Sequence, residues 1–237
     1  MPSEFPSALP PSARVSTTVS VRAAPRPYHI VMVGWEWPPN HTGGLGVHCY
    51  ELSRELTRLG HRITFLTPFT GPFTPVEGVT MRYPGAPERG GSPAPFPPAY
   101  WAGASPGSPF WNATDGYNAW IAQLADLGPV DVVHVHDWFG TEGGIELAAR
   151  LGVPLVMTVH STEYDRSLGQ PWAHILRREQ IGIDAATRVI AVSRHLRRQL
   201  IERYRADAGK VRVIYNAVRP TGRLAQIAPE RRVVLYV

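Results

Sequence analysis

Residues 34–59 read GWEWPPNHTGGLGVHCYELSRELTRL. An apolar run at 28–33 precedes them, and Gly60 and a second apolar run at 63–66 follow. Strand, long polar loop, glycines, amphipathic helix and strand, in that order, open an α/β domain with a parallel sheet. Gly43, Gly44 and Gly46 stand where the loop enters the helix. Without Cβ atoms they let a ligand approach the backbone, and the first N–H groups of a helix have no partner within it. An anion suits that position, so phosphate is the expected ligand class, with a plain tight turn as the alternative. The spacing is GGxG rather than the GxGxxG of dinucleotide sites, and GxxxxGK[ST] is absent. Trp35 and Trp37, stiffened by Pro38-Pro39, suit a sugar-stacking or interdomain surface; simple burial of both indoles is the other reading.

Outward from this stretch the pattern continues. Residues 67–75 read as loop, and 76–83 as an edge strand or hairpin. Residues 84–109 are crowded with Pro, Gly and Ser, a long surface excursion. Apolar and aromatic residues at helical spacing from Phe110 to Leu127 predict a helix packed on the sheet and closed by Gly128-Pro129. DVVHV at 131–135 is a strand running into His136, Asp137 and Trp138. A helix over 141–151 closes on Gly152, and a strand over 155–159 ends in His160, Ser161, Thr162 and Glu163. A histidine and a carboxylate are thus expected from each of two consecutive strands, on the edge that carries the glycines, where open α/β sheets bind ligands. A helix over 172–186, a strand over 188–192, a helix capped by Ser193 and a strand over 211–215 complete the pattern.

The ends differ in character. Residues 1–27 are rich in Pro, Ser, Ala and Arg without an apolar h-region, which reads as a disordered leader and not a signal peptide. The fold is expected over 28–218. Residues 219–237 read as a linker and the first strand of an absent second domain.

Composition excludes several classes. The 237 residues are 43% hydrophobic, enough for a proper core, and carry a formal charge of +5. The densest basic cluster, 194–205, contains acidic and apolar residues and no interleaved aromatics, so it reads as a solvated helix face and not a nucleic-acid patch. One cysteine, Cys49, precludes an intrachain disulfide and favours a cytoplasmic setting. No apolar run approaches membrane-spanning length.

Three chemistries are open to the histidines. His134 and His136 alternate on one strand face, so with His160 and Asp137 they suit a transition metal and a metal-dependent hydrolase. Against this, His134 lies inside an apolar run, where a histidine is usually a satisfied core residue. A nucleophilic triad lacks the GxSxG elbow at Ser161. His160, at a strand end facing the glycine loop, is the leading reactive residue. Asp137 suits sugar hydroxyls, or alternatively a helix cap.

WEWPPNHTGGLGVHCYELSRELTRLGH, DVVHVHDW, VPLVMTVHSTEYD, RVIAVSRHLRRQL and VRVIYNAV, in that order, resemble the N-terminal domain of a GT-B glycosyltransferase of family 4, close to glycogen and starch synthases. The resemblance implies a Rossmann-like parallel sheet flanked by helices, with the second domain of the fold absent. It implies a retaining transfer of a hexose from a nucleotide sugar to a glycan or other hydroxyl acceptor, with no metal and no cofactor beyond that co-substrate. It casts His160 as the catalytic candidate near the donor sugar, Gly43 and Gly44 as donor-binding, Asp137 as acceptor-binding and Asn216 as part of the interdomain linker. YNAV departs from the family's IPNGV there, and His41 replaces the lysine of the starch-synthase Lys-Thr-Gly-Gly. Alone, such a half is expected to turn over very poorly. A truncated, non-catalytic carbohydrate- or nucleotide-binding module is the other function class to weigh.

Overall fold

The computed structural model describes residues 26–39, 43–84, 108–167 and 169–217. The readings for most of the leader, for His41, for most of the Pro-rich excursion and for the 219–237 segment lie outside these residues.

Among the described residues seven strands form one parallel sheet: β1 (His29–Val33), β2 (Arg62–Leu66), β3 (Val79–Arg82), β4 (Val132–His136), β5 (Leu155–Val159), β6 (Arg188–Ala191) and β7 (Val211–Val213). Six helices connect or follow them: α1 (Gly44–Arg58), α2 (Pro109–Ala122), α3 (Thr141–Leu151), α4 (Glu163–Arg166), α5 (Ala173–Ala185) and α6 (Arg194–Arg203). The spatial order β3-β2-β1-β4-β5-β6-β7 starts at β1, moves outward to β3, then returns to the other side of β1. The reversal leaves a crevice between β1 and β4 at the C-terminal ends of the strands, the ligand position of open parallel sheets.

Alternation along the strands fills both faces. Val31 and Val33 join Val133 and Val135 in a core beneath α2, α3, α5 and α6. Ile30 and Met32 point the other way, toward Cys49 of α1, Ile63 and Phe65. The two tryptophans of the opening loop divide between these cores, each only 1% exposed. Trp35 stacks on Phe139 at 4.1 Å, while Trp37 packs on Phe65 and donates its indole N–H to Thr74 O at 2.8 Å. Their exposed, sugar-stacking reading is therefore corrected. Large indoles gain far more from burial than a polar loop loses by bending over the sheet end.

Most elements stand where the periodicity puts them, with four differences. β3 is a parallel edge strand and no hairpin, paired with β2 from Val79 to Arg82. α2 stops at Ala122, well before Gly128; Leu124 still packs in the core, and Arg150 donates to the carbonyls of Ala122 and Leu124. Helical spacing of apolar residues thus continues past the helix itself. β7 ends at Val213. The short helix α4 has no counterpart in the sequence reading; Thr162 and Asp165 form a capping box at its start. Ser193 caps α6 as expected, accepting from Leu196 N–H at 3.0 Å, and Gly152 closes α3 at φ 67.

Candidate active site

Three strand ends converge on the crevice. β1 leads through the tryptophan loop into the glycine turn, β4 ends at His136, and β5 runs directly into His160. Gly44, Asp137 and His160 therefore share one rim of the sheet, at the switch point.

At the glycine turn, Gly43 caps α1 in extended conformation and donates its N–H to Glu36 Oε2 at 3.3 Å. Gly43 and Gly44 are exposed, and a Cβ at either would meet nothing within 4 Å. The first turn of α1 carries no acidic residue, and the N–H groups that follow Gly43 stand at the positive end of the helix dipole without acceptors inside the helix. This is the geometry of an anion site whose first donor is already engaged by a carboxylate.

Asp137 holds the next segment. It sits in left-handed conformation at φ 53, is 7% exposed, and its Oδ1 accepts the backbone N–H of His160 at 2.7 Å. A further backbone bond comes from Ser161. Asp137 therefore does not cap α3, whose N-cap is Gly140; its carboxylate reaches across to fix the loop after β5. Burial raises its pKa to about 6, against the backbone N–H groups that favour the charged form.

His160 is mostly buried, and burial holds its pKa down at about 4. Its Nε2 lies 3.3 Å from His136 Nδ1. His134 and His136 point to the same face of β4, but their fates differ. His134 Nε2 bonds Thr158 Oγ1 at 2.7 Å, which makes it a satisfied core histidine. The trio of His134, His136 and His160 is thus not the cluster that forms.

His48 joins in its place. It lies on α1, four residues past Gly44, with its ring 4.5 Å from His160 and 5.4 Å from His136. Sequence reasoning missed it, although that spacing puts it on the helix face that carries the glycine turn. Asn216, beyond β7, hydrogen-bonds its side chain to His48. The proposed linker residue thereby touches the site. Burial lowers the pKa of His48 to about 4 and of His134 to about 3, and drives His136 down also. At neutral pH the crevice floor is a set of uncharged imidazoles beside a buried carboxylate that is mostly ionised.

A family model described as Glycosyltransferase Family 4 matches residues 42–221. The chain belongs to glycosyltransferase family 4. An uncharacterized glycosyltransferase of Methanocaldococcus jannaschii is 30% identical over 198 residues, covering 81% of this chain and 46% of that protein. A glycogen synthase of Mycobacterium tuberculosis is 33% identical over 156 residues, 59% of this chain and 35% of the relative. The catalytic domain of starch synthase IV from Arabidopsis thaliana, solved with ADP and acarbose, superposes with a TM-score of 0.54 at 16% identity, covering 81% of this chain and 52% of that one. The sheet is thus that of a GT-B domain, and the chain spans less than half the length of these two curated family members. Among the described residues no helix is long and apolar enough to cross a membrane.

Proposed function

We propose that this chain is the acceptor-side half of a retaining glycosyltransferase that moves a hexose from a nucleotide sugar to a hydroxyl of a glycan or similar acceptor. One observation carries the reading. A family 4 chain brings an open glycine turn at a helix N-terminus and a carboxylate-braced histidine to the same switch point of its sheet. The turn suits the donor's diphosphate, with the N–H groups after Gly43 stabilising charge as it develops on the leaving group. His160, neutral at physiological pH, suits a hydrogen bond to the sugar in transit. Asp137 works through His160 by fixing its backbone, and suits the acceptor side of the crevice. The reaction needs no cofactor beyond the nucleotide sugar.

The half-length of the chain relative to its curated relatives supports a second α/β domain as the partner across the crevice, with Asn216 on the path toward it. Without that partner the diphosphate lacks most of its neutralising groups, and turnover by the 237 residues alone is very slow.

The test supplies the chain with the C-terminal half of the mycobacterial glycogen synthase as a fusion and assays nucleoside diphosphate release from a panel of nucleotide sugars. Expected is transfer with retained anomeric configuration, falling by roughly 10²-fold or more on His160→Ala. A folded fusion that binds oligosaccharide and never transfers a sugar establishes the non-catalytic binding module instead. An inverted product refutes the retaining mechanism.

A further inference from the structure

Four consecutive backbone N–H groups follow β5, and each donates to a carboxylate. His160 and Ser161 donate to Asp137, Thr162 to Asp165 Oδ2 at 2.9 Å, and Glu163 to Glu179 Oε1 at 2.8 Å. The three acceptors come from the end of β4, from α4 and from the middle of α5. The loop that carries His160 is thus threaded between charges supplied by separate parts of the chain.

Asp137, Glu163 and Glu179 are all buried, and a buried charge without a partner is costly. Arg166 stands among them. Its Nη2 lies 2.5 Å from Glu179 Oε1 and its Nε 3.5 Å from Glu163 Oε2, while its Nη1 donates to Ser161 O at 2.8 Å and to Ser161 Oγ at 2.9 Å. It also acts through space on Asp137, favouring the ionised form against burial. Ser161 is therefore held from both sides: Asp137 takes its N–H, and Arg166 binds its carbonyl and hydroxyl. The tie extends outward, because Glu179 Oε2 accepts the hydroxyl of Tyr204 and Glu163 Oε1 accepts Trp172 N–H at 3.1 Å.

We propose that Arg166 is a positioning residue for His160, fixing the loop after β5 so that the imidazole stands at the crevice rim in the orientation that transfer uses. The inference rests on the transfer reading above and deepens it. Arg166 acts through the neighbouring peptide and leaves the imidazole to the sugar. A guanidinium suits this task, since its N–H groups form a rigid planar fork that reaches the Ser161 carbonyl, the Ser161 hydroxyl and two carboxylates at once. The ammonium of lysine is a point charge. Arg166→Lys thus keeps the charge that Glu179 needs and loses the geometry.

The loop is tested first in the 237-residue chain itself, by amide hydrogen exchange. In Arg166→Lys the His160 and Ser161 amides exchange about tenfold faster or more, relative to the amides of β1 and β4, because the opening is local. The fusion with the mycobacterial C-terminal half then gives the kinetics. Arg166→Lys lowers kcat roughly tenfold with little change in the KM for the nucleotide sugar, and in a His160→Ala background it lowers kcat no further, since the two residues act as one unit. Should Arg166→Lys fail to fold, Arg166→Met combined with Glu179→Gln removes the closest buried pair together and is expected to behave alike. Exchange at 160 and 161 that matches the rest of the sheet, or a kcat loss that adds in full to that of His160→Ala, overturns the positioning role. A wild-type fusion that transfers nothing sinks the transfer reading instead, and amide exchange alone then decides whether Arg166 sets the loop.

Discussion

Replacing Asp137 by Asn separates the charge of this residue from its hydrogen-bonding role. An amide oxygen still accepts the His160 N–H, so the brace survives while the buried charge is removed. Burial raises the folded-state pKa of Asp137 to about 6, above its ordinary 3.8. Between those values the folded protein holds a proton that the unfolded chain has lost. The wild type therefore loses stability as pH rises through that window and stays at the lower level above it. Taking the two pKa values through the linkage relation, the wild-type contribution falls by about 1.4 kcal/mol between about pH 5 and about pH 8. The Asn variant carries no such term. Its stability relative to wild type should climb by that amount over the same interval, whatever the constant offset between amide and carboxylate. Desolvation alone sets the His160 pKa, so the histidine contributions cancel in the difference. Urea unfolding of both proteins at a series of pH values measures it. A pH-independent difference, or one that falls toward alkaline pH, refutes the claim that the carboxyl is strained by its burial.

Two further outcomes follow from the same packing. The folded pKa values of His134 and His160, about 3 and about 4, lie below the ordinary 6.5, so the unfolded chain takes up protons first and stability falls as pH drops from about 6.5 toward about 4; thermal melts should show the midpoint declining through that range. Gly143→Ala drives a Cβ to 2.5 Å from the Asn118 carbonyl at the α2–α3 contact and costs about 1–3 kcal/mol in urea unfolding, whereas Gly43→Ala enters open space, shifts stability by under about 0.5 kcal/mol and lowers transfer in the assembled enzyme.

What was legible in the sequence divides along physical lines. The alternation and spacing of apolar residues carry the seven strands and the long helices, because burial on both faces of a parallel sheet leaves a local imprint on each segment. The Ser193 cap and the Gly152 stop were legible for the same reason: their chemistry acts within one turn of the chain. Strand order then places the ends of β1, β4 and β5 together, so Gly44, Asp137 and His160 could be expected on one rim. Contacts between elements leave no such imprint. Trp35 and Trp37 lie in a polar, proline-stiffened loop, and only the cores that receive them, Phe139 on one face and Phe65 on the other, decide that they are buried. Asp137 precedes a helix and so suggests a cap; its carboxylate instead spans to a backbone N–H 23 residues further on. The histidines show the limit best. HVH reads as a pair on one strand face, yet the partner of His134 is Thr158 on the neighbouring strand, and its place is taken by His48 from a helix 86 residues earlier in the chain. His134 and Met32 stand in register across β1 and β4, which turns the β4 histidines toward α1 and lets the glycine-turn helix set its own imidazole among them. A sequence motif could name two of the three rings; only the packing of α1 on that face supplies the third.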